Sequence, residues 1–307
     1  MRNYYYLFFL VILPAYLPVE AQQFMPIWPN GKMPNSKGVW VKDSMSDERI
    51  RQVGTPGIYA FFPSKQENKG AAVIICPGGG YKHYSYEVSG IQIAKWFNTY
   101  GISAFVLISR LPHSPDLIHR EMAPLQDAQR AIRLIRANAV SWGIKPDKIG
   151  IIGFSAGGHL ASTLGTHTED VSAIRDSFDT IPFRPDFMVL ISPVISMGAY
   201  AHTGSRDNLL GPGPSKELII KYSNEMQVTD KTPPTFIALA DNDKSVNPQN
   251  SLLFYSALRD KKVSASLHIF PQGGHAIALR NNPGSTQQWP VLCEMWLQEM
   301  GFISERN

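Results

Sequence analysis

Apolar residues in this chain gather into short uninterrupted runs, and polar segments marked by glycine and proline separate them. Residues 71–76, 102–108, 149–154, 187–191 and 235–240 are almost wholly aliphatic or aromatic. Runs of five to seven residues with no polar face read as strands buried on both sides. Residues 263–270 alternate instead and read as a further strand, and 58–62 as a strand at the sheet edge. Between these runs the apolar spacing changes to that of a helix. The clearest case is 124–142, where Leu125, Ala128, Ile132, Ile135 and Ala139 fall on one face. Helices are also expected over 88–100, 156–165, 248–261 and 289–300, the last with Trp289, Leu292, Trp296 and Met300 in register. A further helix is expected over 215–224, where Ser215 is a suitable N-cap and Glu217 sits in the first turn. The segment after 187–191 carries Gly198, Gly204, Gly211 and Gly213 and reads as a loop. Residues 22–56, rich in Pro, Gly and Asn, read as an N-terminal arm ahead of one domain over 57–307.

Strands separated by helices predict an α/β fold: a mostly parallel central sheet with helices on both faces. In such a sheet, functional groups collect at the carboxyl ends of the strands. A length of 307 residues with 44% hydrophobic content supports one large core. The formal net charge is +4, with no basic stripe and no acidic tail, so nucleic acid is not an expected partner.

Residues 1–21 have the layout of a secretory signal peptide. Arg2 supplies the positive end, Tyr4 to Leu13 the apolar region, and Val19-Glu20-Ala21 a small-residue cleavage site. The run is short for a membrane span, and Pro14 and Pro18 interrupt it. The expectation is a secreted or periplasmic protein with no membrane partner after cleavage. Cys76 and Cys293 are expected to be buried free thiols. No Cys/His spacing suggests zinc, and neither a metal nor a cofactor is expected.

Within that sheet, Gly153-Phe154-Ser155-Ala156-Gly157 lies where a strand ends and a helix begins. A serine on so tight a turn presents its hydroxyl above the sheet, and glycines two residues away avoid a clash. Serine alone is a poor nucleophile at neutral pH; it needs a base, and the base needs an orienting acid. In the α/β-hydrolase order, acid and then histidine follow the serine. Asp241 and Asp243 both lie just past the 235–240 strand. Asp243 is preferred because the chain beyond it leaves room for its side chain to turn back into the site. His275 follows the last strand behind Gly273-Gly274 and is the expected base. His268, mid-strand, and His159, one turn into the helix after Ser155, read as structural. Cys76-Pro77-Gly78-Gly79-Gly80 ends the 71–76 strand and lets backbone amides approach a substrate oxygen. Gly79, Gly80 and Ala156 are the expected oxyanion donors. A dinucleotide loop would open directly into a helix, and here Tyr81-Lys82-His83-Tyr84 intervene. Tyr81, Met197 and Tyr200 are expected to border the substrate.

Five ordered blocks, CPGGGY, PLQDAQRAIRLIRANA, IGIIGFSAGGHLAS, TPPTF and HIFPQGGHAI, resemble the acetylxylan-esterase-like, or BD-FAE-type, carbohydrate esterases of the α/β-hydrolase superfamily. The likeness runs from about residue 70 to 280. It implies an α/β-hydrolase fold and a Ser155–Asp243–His275 triad, and the gap of 88 residues from Ser155 to Asp243 leaves little room for a large cap. The substrate it implies is an acetylated polysaccharide or oligosaccharide such as acetylated xylan. One departure is Ser109-Arg110, where members often carry Tyr-Arg. A serine peptidase, or a silent binding protein on the same fold, is the alternative function. A peptidase would want a propeller or cap module, and a silent binding protein would usually have lost a triad residue.

Overall fold

All five uninterrupted apolar runs, the alternating run at 263–270 and the run at 58–62 form strands in the computed structural model, which describes residues 23–275 and 277–304. The expected leader, 1–21, lies outside the described residues. In chain order the strands are β1 (Gln23–Pro26), β2 (Ser44–Ser46), β3 (Arg49–Gln52), β4 (Gly57–Phe61), β5 (Ala72–Cys76), β6 (Tyr84–Ser85), β7 (Ser103–Ile108), β8 (Ile149–Phe154), β9 (Met188–Ile191), β10 (Thr235–Ala240) and β11 (Ala265–Phe270). The helices are α1 (Gln92–Asn98), α2 (Ala123–Ala137), α3 (Ala156–Thr166), α4 (Thr203–Leu210), α5 (Lys216–Tyr222), α6 (Gln249–Asp260) and α7 (Trp289–Glu299).

The main sheet has the order β1-β4-β7-β5-β8-β9-β10-β11. From β7 to β11 every neighbouring pair is parallel, whereas β4 and β1 run antiparallel to their neighbours. The strand expected at the edge, β4, is therefore internal, because β1 from the arm pairs outside it. A second sheet, β2-β3-β6, also draws on the arm. These added strands are two to four residues long and mostly exposed, so no apolar pattern marks them.

Side chains of the central strands alternate between two core layers. Ile74 enters one layer with Leu125, Ile132 and Leu160 from α2 and α3; Val73 and Ile75 enter the other with Phe97 from α1 and Trp289 from α7. Both faces are thus dry, which is why the strand sequences lack a polar face. Helix α2 stops short of the expected 142. The Asn138 side chain donates to the Leu134 carbonyl at 2.8 Å, and Gly143 turns the chain with φ +67°. The glycine-marked loop contains an unexpected helix, α4.

Arg110 and Asp127 form a buried ion pair, 1% and 0% exposed. The Asp127 carboxylate accepts from the Arg110 amide at 2.7 Å, from its guanidinium at 2.8 Å, and from Trp28 Nε1 at 2.8 Å. The pair ties the arm, the end of β7 and α2 together. Beside it, the Ser109 hydroxyl pairs with the Tyr84 hydroxyl at 2.6 Å, joining β7 to the small sheet. Cys76 and Cys293 are both buried and unpaired.

Candidate active site

Ser155 caps α3 with φ 55° and ψ −121°, a left-handed backbone that non-glycine residues seldom adopt. The flanking glycines show what holds it there. A Cβ at Gly153 would sit 2.1 Å from the Gly157 carbonyl oxygen, and a Cβ at Gly157 would sit 2.0 Å from that of Cys76. A side chain at Gly153 would pry the start of α3 from the end of β8, and one at Gly157 would push the turn away from β5.

Three side chains remote in sequence meet above this turn. His275 Nε2 lies 2.8 Å from Ser155 Oγ, and His275 Nδ1 lies 2.7 Å from Asp243 Oδ2. The other carboxylate oxygen, Oδ1, accepts from the amides of Ser245 and Val246, both at 2.9 Å. This divides the labour within Asp243: one oxygen is anchored to its own loop and the other faces the imidazole. Burial pushes the Asp243 carboxyl up, but the hydrogen bonds from His275, Val246 and Ser245 outweigh it and hold the group below the ordinary carboxylate value. With a carboxylate at Nδ1, the imidazole proton sits on Nδ1 and Nε2 is free to accept from the serine hydroxyl. Asp241, the alternative acid, is exposed, and its amide donates to the Phe270 carbonyl at 2.7 Å. Asn242 between them has a role that the sequence does not indicate. Its Oδ1 accepts from the Gly274 amide at 2.8 Å and pins the histidine loop to the acid loop.

The glycine loop after β5 abuts the serine. A Cβ at Gly78 would lie 3.4 Å from Ser155 Cβ. The Gly78 amide is committed to Ser89 Oγ at 3.1 Å, whereas among the described residues the amides of Gly79 and Gly80 donate to no other protein group. Gly79 could carry no side chain, since its Cβ would fall 1.9 Å from the His83 carbonyl oxygen. The Ala156 amide, first in α3, is one of the unpaired amides at a helix N-terminus. Gly79, Gly80 and Ala156 thus offer free donors beside Ser155.

Ser155, His275 and the glycine loop line an open cavity of about 660 Å³. Val88 and Ile191 give it apolar wall, and Asp47 and Glu48 polar wall. The last two form the turn of the β2–β3 hairpin, with φ 51° and 58°. Such a turn usually announces itself by Asn-Gly or Asp-Gly, and Asp-Glu does not. The arm therefore walls the site.

The expected substrate-bordering residues lie elsewhere. Tyr81 is 5% exposed, and its hydroxyl turns down onto α3 to meet His159 Nδ1 at 2.8 Å. Met197 is wholly buried in the core below. Tyr200 is exposed outside the cavity lining, and its carbonyl accepts from Asn250. His268 bonds Ser266 and lies against Phe236, so it is structural.

His159 is structural too. Its Nε2 donates to the Tyr222 carbonyl at 2.8 Å and its Nδ1 accepts from Tyr81. Burial lowers its pKa to about 4 from the ordinary 6.5. The folded state holds it neutral while the unfolded chain takes up a proton below pH 6.5, so its contribution is whole above 6.5 and is lost as pH falls toward 4. The loss amounts to roughly 3 kcal/mol. Urea unfolding at about pH 7 and about pH 4.5 should show this fall, and His159→Gln should flatten it. An unchanged slope would contradict the assignment.

Comparison with known proteins identifies the family. The BD-FAE family model matches residues 58–258. The chain is 36% identical over 269 residues to endo-1,4-beta-xylanase B of Butyrivibrio fibrisolvens, covering 79% of this chain and 42% of that protein. It is 36% identical over 253 residues to an acetylxylan esterase of Xylanibacter ruminicola, covering 81% of this chain and 48% of the relative. The chain thus spans less than half the length of these curated relatives. Among solved structures, an acetyl ester-xyloside bifunctional hydrolase from Caldicellulosiruptor lactoaceticus superposes with a TM-score of 0.78 at 37% identity, covering 92% of this chain and 97% of that one. The matched span contains the serine turn, the glycine loop and the acid, and on that ground the chain belongs to the BD-FAE family of α/β-hydrolases.

Proposed function

We propose that this chain is a serine esterase that removes short acyl groups, acetyl foremost, from plant polysaccharide such as xylan or its oligosaccharides. The observation that carries the reading is the continuous Asp243–His275–Ser155 hydrogen-bonded chain at the mouth of an open cavity, beside free glycine amides. The apolar leader composition supports action outside the cytoplasm.

The reaction follows from the geometry. His275 Nε2 takes the Ser155 proton as Oγ attacks the ester carbonyl carbon. Asp243 keeps the imidazole in the accepting tautomer and stabilises the imidazolium that forms. The amides of Gly79, Gly80 and Ala156 hold the oxyanion; losing one such donor typically costs about 3 kcal/mol of barrier. His275 returns the proton to the departing sugar oxygen, and the acyl group stays on Ser155. Water then attacks the acyl carbon with His275 again as base, and acetate leaves.

The openness of the site, with no large cap among the described residues, suits an ester carried on a polymer. Incubation with acetylated xylan, with other acetylated glycans and with p-nitrophenyl esters of increasing acyl length tests the reading. Acetate release from xylan and a steep fall with acyl length are expected. Faster release of an amino-acid arylamide than of acetate would contradict it.

A further inference from the structure

One cavity wall has chemistry that the mechanism leaves unused. His202 precedes α4 and acts as its N-cap, with Nδ1 accepting from the Ser205 amide at 3.2 Å. Its Nδ1 also lies 2.8 Å from Ser205 Oγ. An amide N–H only donates, so Nδ1 carries no proton, and in the neutral ring the proton is fixed on Nε2. Nε2 has no protein partner among the described residues, and the ring lines the same cavity as Ser155 and His275.

The ring's footing is rigid. Asn208, on the same helix α4, donates to the Gly80 carbonyl at 2.8 Å. Ser205 Oγ lies 3.9 Å from where a Gly80 Cβ would be. Helix α4 is therefore locked to the glycine loop, and His202 is held relative to the oxyanion donors. Burial first, and then the neighbouring His275, lower the His202 pKa, against an opposing pull from Asp243. The ring stays neutral at working pH and does not oppose the positive charge that develops on His275.

Resting on the esterase reading, we infer that His202 Nε2–H is a preset hydrogen-bond donor to a hydroxyl or ring oxygen on the sugar side of the ester. The sugar side is indicated because His275 delivers its proton to the departing alcohol, and His202 lines the same cavity as His275 and Ser155. His202 then selects for glycan esters over esters of simple alcohols.

His202→Asn tests this without unmaking the helix start, because asparagine is a favoured N-cap but ends short of the cavity. The reading is kcat/KM for an acetylated xylo-oligosaccharide divided by kcat/KM for p-nitrophenyl acetate, in the full chain. Loss of one neutral hydrogen bond should lower this ratio about 3- to 10-fold. His202→Gln, which keeps a longer donor, should lower it less and serves as the second variant should the His202→Asn protein melt early. An unchanged ratio in both variants overturns the inference. Absence of Ser155-dependent hydrolysis of either substrate by the unaltered chain is instead a failure of the esterase reading, and it is visible before any His202 variant is made.

Discussion

Replacing Ser155 by alanine is expected to cut kcat for an acetyl ester by about 10⁴- to 10⁶-fold while leaving the fold intact. The hydroxyl is the atom that forms the new bond, and among the described residues no other side chain bonds His275 Nε2 to replace it. The left-handed backbone at 155 is held by contacts of Gly153 and Gly157 rather than by the hydroxyl, so alanine inherits the same geometry. Thermal unfolding should therefore differ little between the two proteins. Rates of p-nitrophenyl acetate hydrolysis, with a melting curve for each protein, decide the matter. Retained turnover would remove Ser155 from the chemistry.

Asp243→Asn has the next largest expected effect, about 10⁴-fold in kcat. Asparagine fills the same space, and its oxygen still accepts from the Ser245 and Val246 amides. That arrangement turns the amide NH2 toward His275 Nδ1. Nδ1 must then accept, the ring proton moves to Nε2, and the imidazole no longer accepts from Ser155. The loss should appear in kcat, with KM nearly unchanged. Asp241→Asn is the control: Asp241 is exposed and outside the hydrogen-bonded chain, so its rate should match the unaltered protein. Equal losses at 241 and 243 would contradict the division of roles between the two aspartates.

The parts of this molecule that can be read from the sequence are those fixed by burial on both sides. The runs at 149–154 and 235–240 read as strands because they are short and a parallel strand covered by helices leaves almost no polar positions. Ser155, Asp243 and His275 are legible through their order and their places at strand ends, both consequences of that sheet. The arm is harder. Strands such as Ser44–Ser46 and Arg49–Gln52 owe their conformation to backbone pairing between neighbouring segments, and their side chains are mostly exposed. Helix α4 begins on a histidine, outside the usual Ser, Thr, Asp and Asn cap residues, so no local signal marks His202 or Asn208. Tyr81 misleads for a different reason. It follows the glycine loop in sequence, but its φ of 58° turns the ring down onto His159 instead of up into the cavity. Proximity in sequence says nothing of direction where the backbone enters a left-handed turn.

Labelling of the folded protein with a fluorophosphonate, followed by peptide mapping, is the most direct test of whether Ser155 is an activated nucleophile. The reagent reacts with a serine only when a base draws off its proton. A single adduct on the peptide carrying Ser155, formed rapidly by the unaltered protein, slowly by the Asp243→Asn variant and not at all after unfolding, is the predicted result. No adduct on that peptide while acetate is still released from an acetyl ester would contradict the account.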